Sequence, residues 1–451
     1  MTAETAAGLS VGVEEEFLLA DPVSGATVAR VDAVLSEAGA HPFHAAGGRY
    51  HRELLASQVE ASTGVCRTLS ALDRQIREAR SALSAAAARE GLLLLPSGTP
   101  PLHGPVPVTG RDDRFRAISA LYAGVVTGYQ VGGCHVHVGV ADREAAVAVL
   151  AHLSPWLPVL LALSANSPYH RGRDTGHASW RMVEQSRFPG SGVPPVFASA
   201  ADYDRGVDRL VDCGAVADRA MSFWLARLSP RYPTVEVRAA DAVATAGEAV
   251  LQAALTRALV AAALADLDAG RQAPPVDPGV SAAAVWSAAR YGLEGPAVHP
   301  FQERRVPVNV LIDELLRRVS PHLEETGDLA AVEVVLDRLR RAGSGARRQR
   351  ETAARGGPRA VVGMLARQAT APDPEVPGLP PRREARPEPG RGARSQAREG
   401  PPGRPEGPGG AGGAGGPRAP EGAETREGAQ ARERPPGDTA PAAPGLRDTR
   451  R

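Results

Sequence analysis

The chain contains no lysine: all 52 basic side chains among its 451 residues are arginine. Coding bias accounts for the replacement, because arginine fills most surface roles of lysine, but the absence removes chemistry. There is no Walker-A lysine, no Schiff-base lysine and no pyridoxal phosphate linkage, so any bound phosphate must be held by arginine, backbone N–H or metal. Cysteine is scarce too. Cys66, Cys134 and Cys213 are odd in number and far apart, which excludes a disulfide framework or zinc cluster and fits a reducing compartment. Aromatics make up only 4% of the chain, so a core must be built mainly from Ala, Val and Leu. A net charge of +1 leaves no global field to attract nucleic acid or an anionic membrane. No basic and apolar leader opens the chain, and no run approaches the roughly 20 apolar residues of a membrane span. The expectation is a soluble, cytoplasmic protein.

What is present is polar patterning on strands. In Val11-Gly12-Val13-Glu14-Glu15-Glu16-Phe17-Leu18-Leu19, alternation puts Glu14 and Glu16 on one face and Val13, Glu15 and Phe17 on the other. Carboxylates that close raise each other's pKa unless a cation separates them, and Mg²⁺ prefers such oxygens. Alone, the motif equally describes a solvated edge strand. Three further strands have the same character: Gln58 and Glu60 alternate with Val59 and Ala61, His135 and His137 with Val136 and Val138, and Glu236 and Arg238 with Val235 and Val237. Together they predict a sheet whose concave face carries carboxylate, imidazole and guanidinium, with an apolar reverse covered by helices. Such a face is costly unless it binds ions and anions. Its donors suit two or three Mg²⁺ or Mn²⁺, with Arg238 on a phosphoryl oxygen between them.

Spacing at three and four predicts helices over 31–38, 69–90, 115–128, 142–165 with a break at Pro155 and Pro158, 202–225, 245–268, 281–291, 308–319 and 329–342. A short buried strand is expected at 92–95, and 166–192 reads as a polar loop rich in Arg, Trp and Phe. Beyond residue 369 the chain is Pro, Gly, Arg, Glu and Ala, with Val376, Leu379 and Leu446 its only large apolar side chains. It cannot bury enough surface to offset ordering, so 370–451 is predicted to be a disordered tail on a domain spanning 1–369.

Five segments, GVEEEFLLADP, HRELLASQVEASTGV, GCHVHVGV, SANSPYHRGRDTGHASW and PTVEVRAADA, resemble in this order the glutamate–cysteine ligase type 2 family of ATP-dependent carboxylate–amine ligases. The resemblance covers roughly 11–367. It implies a glutamine synthetase-like α+β fold in which a curved antiparallel sheet forms an active-site funnel backed by helices. It also implies chemistry: a carboxylate attacks the γ-phosphate of ATP, and an amine displaces phosphate from the acyl phosphate to leave an amide. Carried over by motif, Glu14 and Glu16 are Mg²⁺ ligands, and Glu53 and Glu60 a second acidic pair that needs a bend between them. His135 and Glu236 are also metal ligands, Glu236 bridging, while Arg238 contacts phosphate and His137 supports the site. Gln130, Arg114 and the 171–181 loop are candidates for substrate or nucleotide contacts. Glutamate is the implied carboxylate substrate and cysteine one candidate amine; assembly into a homo-oligomer is left open. Pro100 stands where the family pattern has histidine, so no side-chain role follows for that loop. Three other classes fit parts of the pattern: a guanidino phosphotransferase of phosphagen-kinase type, a metal-dependent amide hydrolase and a non-catalytic binding module.

Overall fold

The computed structural model describes residues 8–39, 46–107 and 113–372. The chain begins with β1 (Val11–Ala20), α1 (Val31–Ala38), β2 (Arg49–Arg52), β3 (Gln58–Ser62), α2 (Leu69–Arg89), β4 (Leu93–Leu95) and α3 (Asp113–Tyr122). Its middle holds β5 (Gly133–Gly139), α4 (Arg143–Leu153), α5 (Leu157–Ser164), β6 (Tyr169–His170), β7 (Arg173–Asp174), α6 (Trp180–Gln185), α7 (Ala200–Asp212), β8 (Ala226–Leu228) and β9 (Thr234–Asp241). The last part is mostly helical: α8 (Ala246–Asp268), α9 (Pro278–Tyr291), β10 (Pro296–His299), β11 (Arg304–Pro307), α10 (Val308–Glu325), α11 (Leu329–Ala342) and α12 (Gly345–Ala369).

The expected α+β architecture is present. Seven strands form an antiparallel sheet in the order β2-β3-β1-β5-β9-β8, with β4 pairing the end of β1. Val11, Val13, Val136, Val138, Val235 and Val237 all lie in one buried cluster with α8. That helix is apolar on every side because it is the middle layer: residues 246–263 are all buried, and it packs on β1 and β5 as well as on α2, α4, α10 and α11. Thr245 caps it by accepting from Glu248 N at 3.3 Å. The stretches Arg143–Ser164 and Ala246–Asp268 are, by length and mean hydropathy, apolar enough to cross a membrane, contrary to the expectation from uninterrupted runs. Both lie mostly inside the core, with 83% and 78% of their most apolar windows buried.

Glu15, on the apolar face of β1, has a partner that spacing did not indicate. Arg80 of α2 donates from Nη2 to Glu15 Oε1 at 2.6 Å and from Nε to Oε2 at 3.0 Å, and also reaches the carbonyls of Val243 and Ala244. The pair is almost completely enclosed. Arg80→Met leaves a buried carboxylate uncompensated and is expected to cost about 3–5 kcal/mol, read as a lower denaturant midpoint. Arg80→Met/Glu15→Leu should recover most of that loss; equal midpoints for wild type and single variant would show that the pair contributes nothing.

Several expected elements differ. Residues 166–192 are not a plain loop: they contain the β6–β7 hairpin and α6, whose N-cap Ser179 accepts from Met182 N at 3.2 Å. The helix expected over 202–225 stops at Asp212, where Gly214 takes a φ of 66° that ends it. The one expected over 115–128 ends at Tyr122 and tightens into a 3₁₀ turn. Helix α12 was not anticipated, because Gly356, Gly357 and Pro358 punctuate it; the helix is kinked there and its second half packs Val361, Val362 and Leu365 near Leu18 and Leu95. Helix α12 ends at Ala369, and residues 373–451, on which the expected tail and its limit rest, lie outside the described residues.

Candidate active site

Strand register gathers the predicted polar residues. Glu16 pairs with Glu60 across β1 and β3, Glu14 with His135 across β1 and β5, His137 with Glu236 across β5 and β9, and Glu236 with Arg227 across β9 and β8. Opposite His135 the register shifts and β9 carries one extra residue, leaving Arg238 Nη1 3.3 Å from His135 Nδ1. The turn between β2 and β3 supplies the bend that Glu53 and Glu60 require. A cavity of about 280 Å³ over this face is lined by Glu14, Glu16, Glu53, Glu60, His135, His137, Glu236 and Arg238.

Two clusters of donor atoms that could hold a metal ion result. Carboxylate oxygens of Glu16, Glu53 and Glu60 lie within 4.8 Å of one another, as do donor atoms of Glu14, His135 and Glu236. In the first group, burial and the neighbouring Glu53 push Glu16 up to about 7, although Arg181, Arg238 and the Gly133 N–H at 2.7 Å favour its ionised form. Burial, then Glu14 and Glu53, raise Glu60 well above the carboxylate range. An all-oxygen set under such mutual repulsion fits a hard divalent cation such as Mg²⁺ or Mn²⁺.

The second group is electrostatically different. Burial raises the Glu14 pKa, but contacts with the His135 and His137 imidazoles outweigh it and hold the carboxyl well below its usual range. Burial and then Arg238 lower His135 to about 3, which favours the neutral imidazole. Burial opposes charging of His137, whereas Glu14 and Glu236 overcome this and raise it; its Nδ1 lies 3.0 Å from Thr234 Oγ1. Glu236 is clamped by guanidinium on both oxygens: Arg227 reaches them from Nε at 2.8 Å and Nη2 at 3.1 Å, and Arg238 Nη1 adds a third contact. Burial opposes its ionisation, and Arg227 and Arg238 reverse that. An ionised carboxylate has about four lone-pair sites, so this clamp leaves room for a metal.

The weaker candidates separate. Arg114 stands at the cavity rim, ion-paired with Asp218 at 2.7 Å. Gln130 is not among the residues lining this cavity, and its Nε2 donates to the Gly104 carbonyl at 3.1 Å. Within 171–181, Arg171 and Arg173 are exposed, whereas Arg181 is buried in the cavity wall. Arg227 was missed because a three-residue strand shows too little alternation. Also missed were Gln185 and the aromatic wall formed by Tyr129, Phe188 and Phe223, which come from short helical turns and loops. Around Pro100 the loop is structural, with Ser97 Oγ donating to Thr99 O and Asn166 O.

A family model described as glutamate–cysteine ligase family 2 matches residues 10–371. The chain is 57% identical over 365 residues to "Putative glutamate--cysteine ligase 2-2" of Saccharopolyspora erythraea, covering 81% of this chain and 93% of that one. It is 46% identical over 341 residues to a Nocardia farcinica protein whose printed name differs only in ending 2-1, covering 75% and 88%. Among solved structures, a glutamate–cysteine ligase of Francisella tularensis in complex with AMP superposes with a TM-score of 0.60 at 12% identity, over 81% of this chain and 89% of that one, a likeness of fold. With nearly all of its described residues matched by the family model, the chain belongs to glutamate–cysteine ligase family 2 and is a glutamate–cysteine ligase-like enzyme.

Proposed function

We propose that the protein is an ATP- and Mg²⁺-dependent carboxylate–amine ligase that joins the γ-carboxylate of glutamate to an amine, with cysteine as first candidate, through an acyl phosphate. The observation that carries this reading is the pairing of two carboxylate-rich groups with the half-buried guanidinium of Arg238 on one sheet face. In the first step the substrate carboxylate oxygen bonds to the γ-phosphorus as its bond to the β-bridging oxygen breaks, releasing ADP. In the second, the amine nitrogen bonds to the acyl carbon as the carbon–oxygen bond to phosphate breaks, and inorganic phosphate leaves while the nitrogen gives up one proton to solvent. Bound divalent cations would neutralise the β- and γ-phosphate oxygens. Glu16, Glu53 and Glu60 would hold one such ion, and Glu14, His135 and Glu236 another. Arg238 faces the same space. Its Nη1 is held by Glu236, while its buried Nε has no hydrogen-bond partner among the described residues, leaving a donor for charge that develops during transfer. Family membership supports the glutamate and cysteine assignment. Glutamate labelled with ¹⁸O in its γ-carboxylate should deliver one label to the released phosphate; unlabelled phosphate would overturn the acyl-phosphate route.

The first ligand group also predicts a pH dependence. Glu16 titrates near 7 when folded and near 4.5 when free, so the metal-free folded state binds the extra proton between those values. Its contribution to stability therefore falls as pH rises from about 4.5 to about 7. Neutral His135 acts in the opposite sense over the lower part of that window, so the diagnostic quantity is the increment given by Mg²⁺. Ligation needs the ionised carboxylates, and the Mg²⁺-dependent rise in Tm should grow from about pH 5 to about pH 8. Melting curves in EDTA and in excess MgCl₂ measure it; an increment independent of pH would contradict the ligand assignment.

A further inference from the structure

We propose that Arg227 is a positioning residue for Glu236: it leaves that carboxylate a single open lone-pair site, on Oε2, for a metal ion, and it ties this ligand to the cavity wall at 219–223. The proposal rests on the ligase reading above and adds how one of its ligands is held. Arg227 and Glu236 face each other across β8 and β9, with side chains 12% and 2% exposed. The guanidinium forks over both carboxylate oxygens, Nε on Oε2 at 2.8 Å and Nη2 on Oε1 at 3.1 Å. Arg238 Nη1 adds a second donor to Oε1. A carboxylate has roughly four lone-pair sites, and these contacts take both of those on Oε1 and one on Oε2. The remaining site belongs to Oε2. Glu236 thus serves one ion from one oxygen, which narrows the bridging role that the family resemblance implies.

The rest of the guanidinium faces away from the carboxylate. Nη1 donates to the Ala220 carbonyl at 2.8 Å and to the Ser222 carbonyl at 3.0 Å. These carbonyls lie in and just after a single 3₁₀ turn, Arg219–Met221, which offers no ladder of N–H donors to satisfy them. Met221 and Phe223 of the same segment line the cavity. Asp218 caps the turn, accepting from Ala220 N at 2.8 Å, and pairs with Arg114 of α3. One side chain therefore joins a metal ligand to the wall of the cavity. Lysine could not replace it, because an ammonium cannot fork across a carboxylate and hold two carbonyls at once. A purely structural pair would close the carboxylate. Here one site stays open, and a Glu236 donor atom lies within 4.8 Å of those of Glu14 and His135.

The test is Mn²⁺ binding to the full chain without nucleotide, followed by calorimetry and by the electron paramagnetic resonance of the free ion. Wild type should take two ions. Arg227→Gln should weaken one of them about 10- to 10²-fold and leave the other, at Glu16, Glu53 and Glu60, unchanged. That second site is an internal control, since general loosening of the fold would lower Tm in EDTA and weaken both together. Both sites weakened alike, or neither, overturns the proposal. If Arg227→Gln does not fold, Arg227→Lys serves: it keeps the charge, loses the fork and should weaken the same site about tenfold, whereas wild-type affinity overturns the proposal. The tie to the wall is read on wild type alone, where Mn²⁺ should slow amide hydrogen exchange at 219–223; exchange unchanged by the ion overturns that part. Wild type that binds fewer than two Mn²⁺ contradicts the two-ion reading and takes the proposal with it. Two ions in wild type and in both variants, with unaltered affinities, overturns the proposal alone.

Discussion

Arg238→Ala is expected to lower kcat by roughly 10²–10³-fold while leaving the apparent Mg²⁺ affinity largely unchanged. Arg238 reaches Glu236 and His135 from Nη1 and leaves Nε open inside the cavity, the arrangement of a group aimed at charge that appears only during phosphoryl transfer. The rival account is a structural ion pair, and the geometry limits it. Glu236 keeps its two contacts with Arg227 when Arg238 is removed, so the carboxylate is not stranded. A variant with lowered Tm and near-normal kcat would favour the structural pair. Glu236→Gln should behave differently, because it removes a ligand charge and the counter-ion of two guanidiniums together. Mg²⁺ affinity and kcat should then fall in step across a Mg²⁺ titration.

Glu60→Gln should weaken Mg²⁺ binding by more than roughly tenfold without destabilising the metal-free protein. Burial and the surrounding carboxylates push the Glu60 pKa well above the carboxylate range, which favours its protonated form in the absence of metal. Glutamine copies that neutral form and can still accept from Ser62 Oγ, which stands 2.9 Å from Glu60 Oε1. It cannot become an anionic ligand. Wild type and variant should therefore have matching melting curves in EDTA that diverge on adding MgCl₂. A variant that melts several degrees lower in EDTA, yet responds normally to Mg²⁺, would make Glu60 a structural residue.

The four strands that build the site were legible because each alternates ionisable residues with Val, Ala or Phe, a period that only a half-buried strand satisfies. Register then did what spacing along one strand could not: Glu60 meets Glu16, and His137 meets Glu236, across distances of 44 and 99 positions. The bend needed to bring Glu53 beside Glu60 was foreseeable for the same reason. Other features carried no local signal. Glu15 depends on Arg80, 65 positions away, and nothing near Glu15 announces it. Arg227 sits on a strand of three residues, too short for a period. Arg181 was grouped with exposed neighbours because its burial comes from tertiary packing of α6. Gln130 is polar and adjacent to the His135 strand, yet its amide turns to a backbone carbonyl. Gly356, Gly357 and Pro358 hid α12, since propensity ends a helix where packing against β1 and β4 continues it.

The central claim is that this carboxylate face activates a carboxylate with ATP. Its most direct test is ADP release by the purified chain, followed by a coupled assay with Mg²⁺, glutamate and candidate amines added singly and together. ADP should form only when Mg²⁺ and the carboxylate substrate are both present, and an amine should raise the rate while an amide accumulates in equal amount. Release of AMP, or hydrolysis of an amide without nucleotide, would contradict the account.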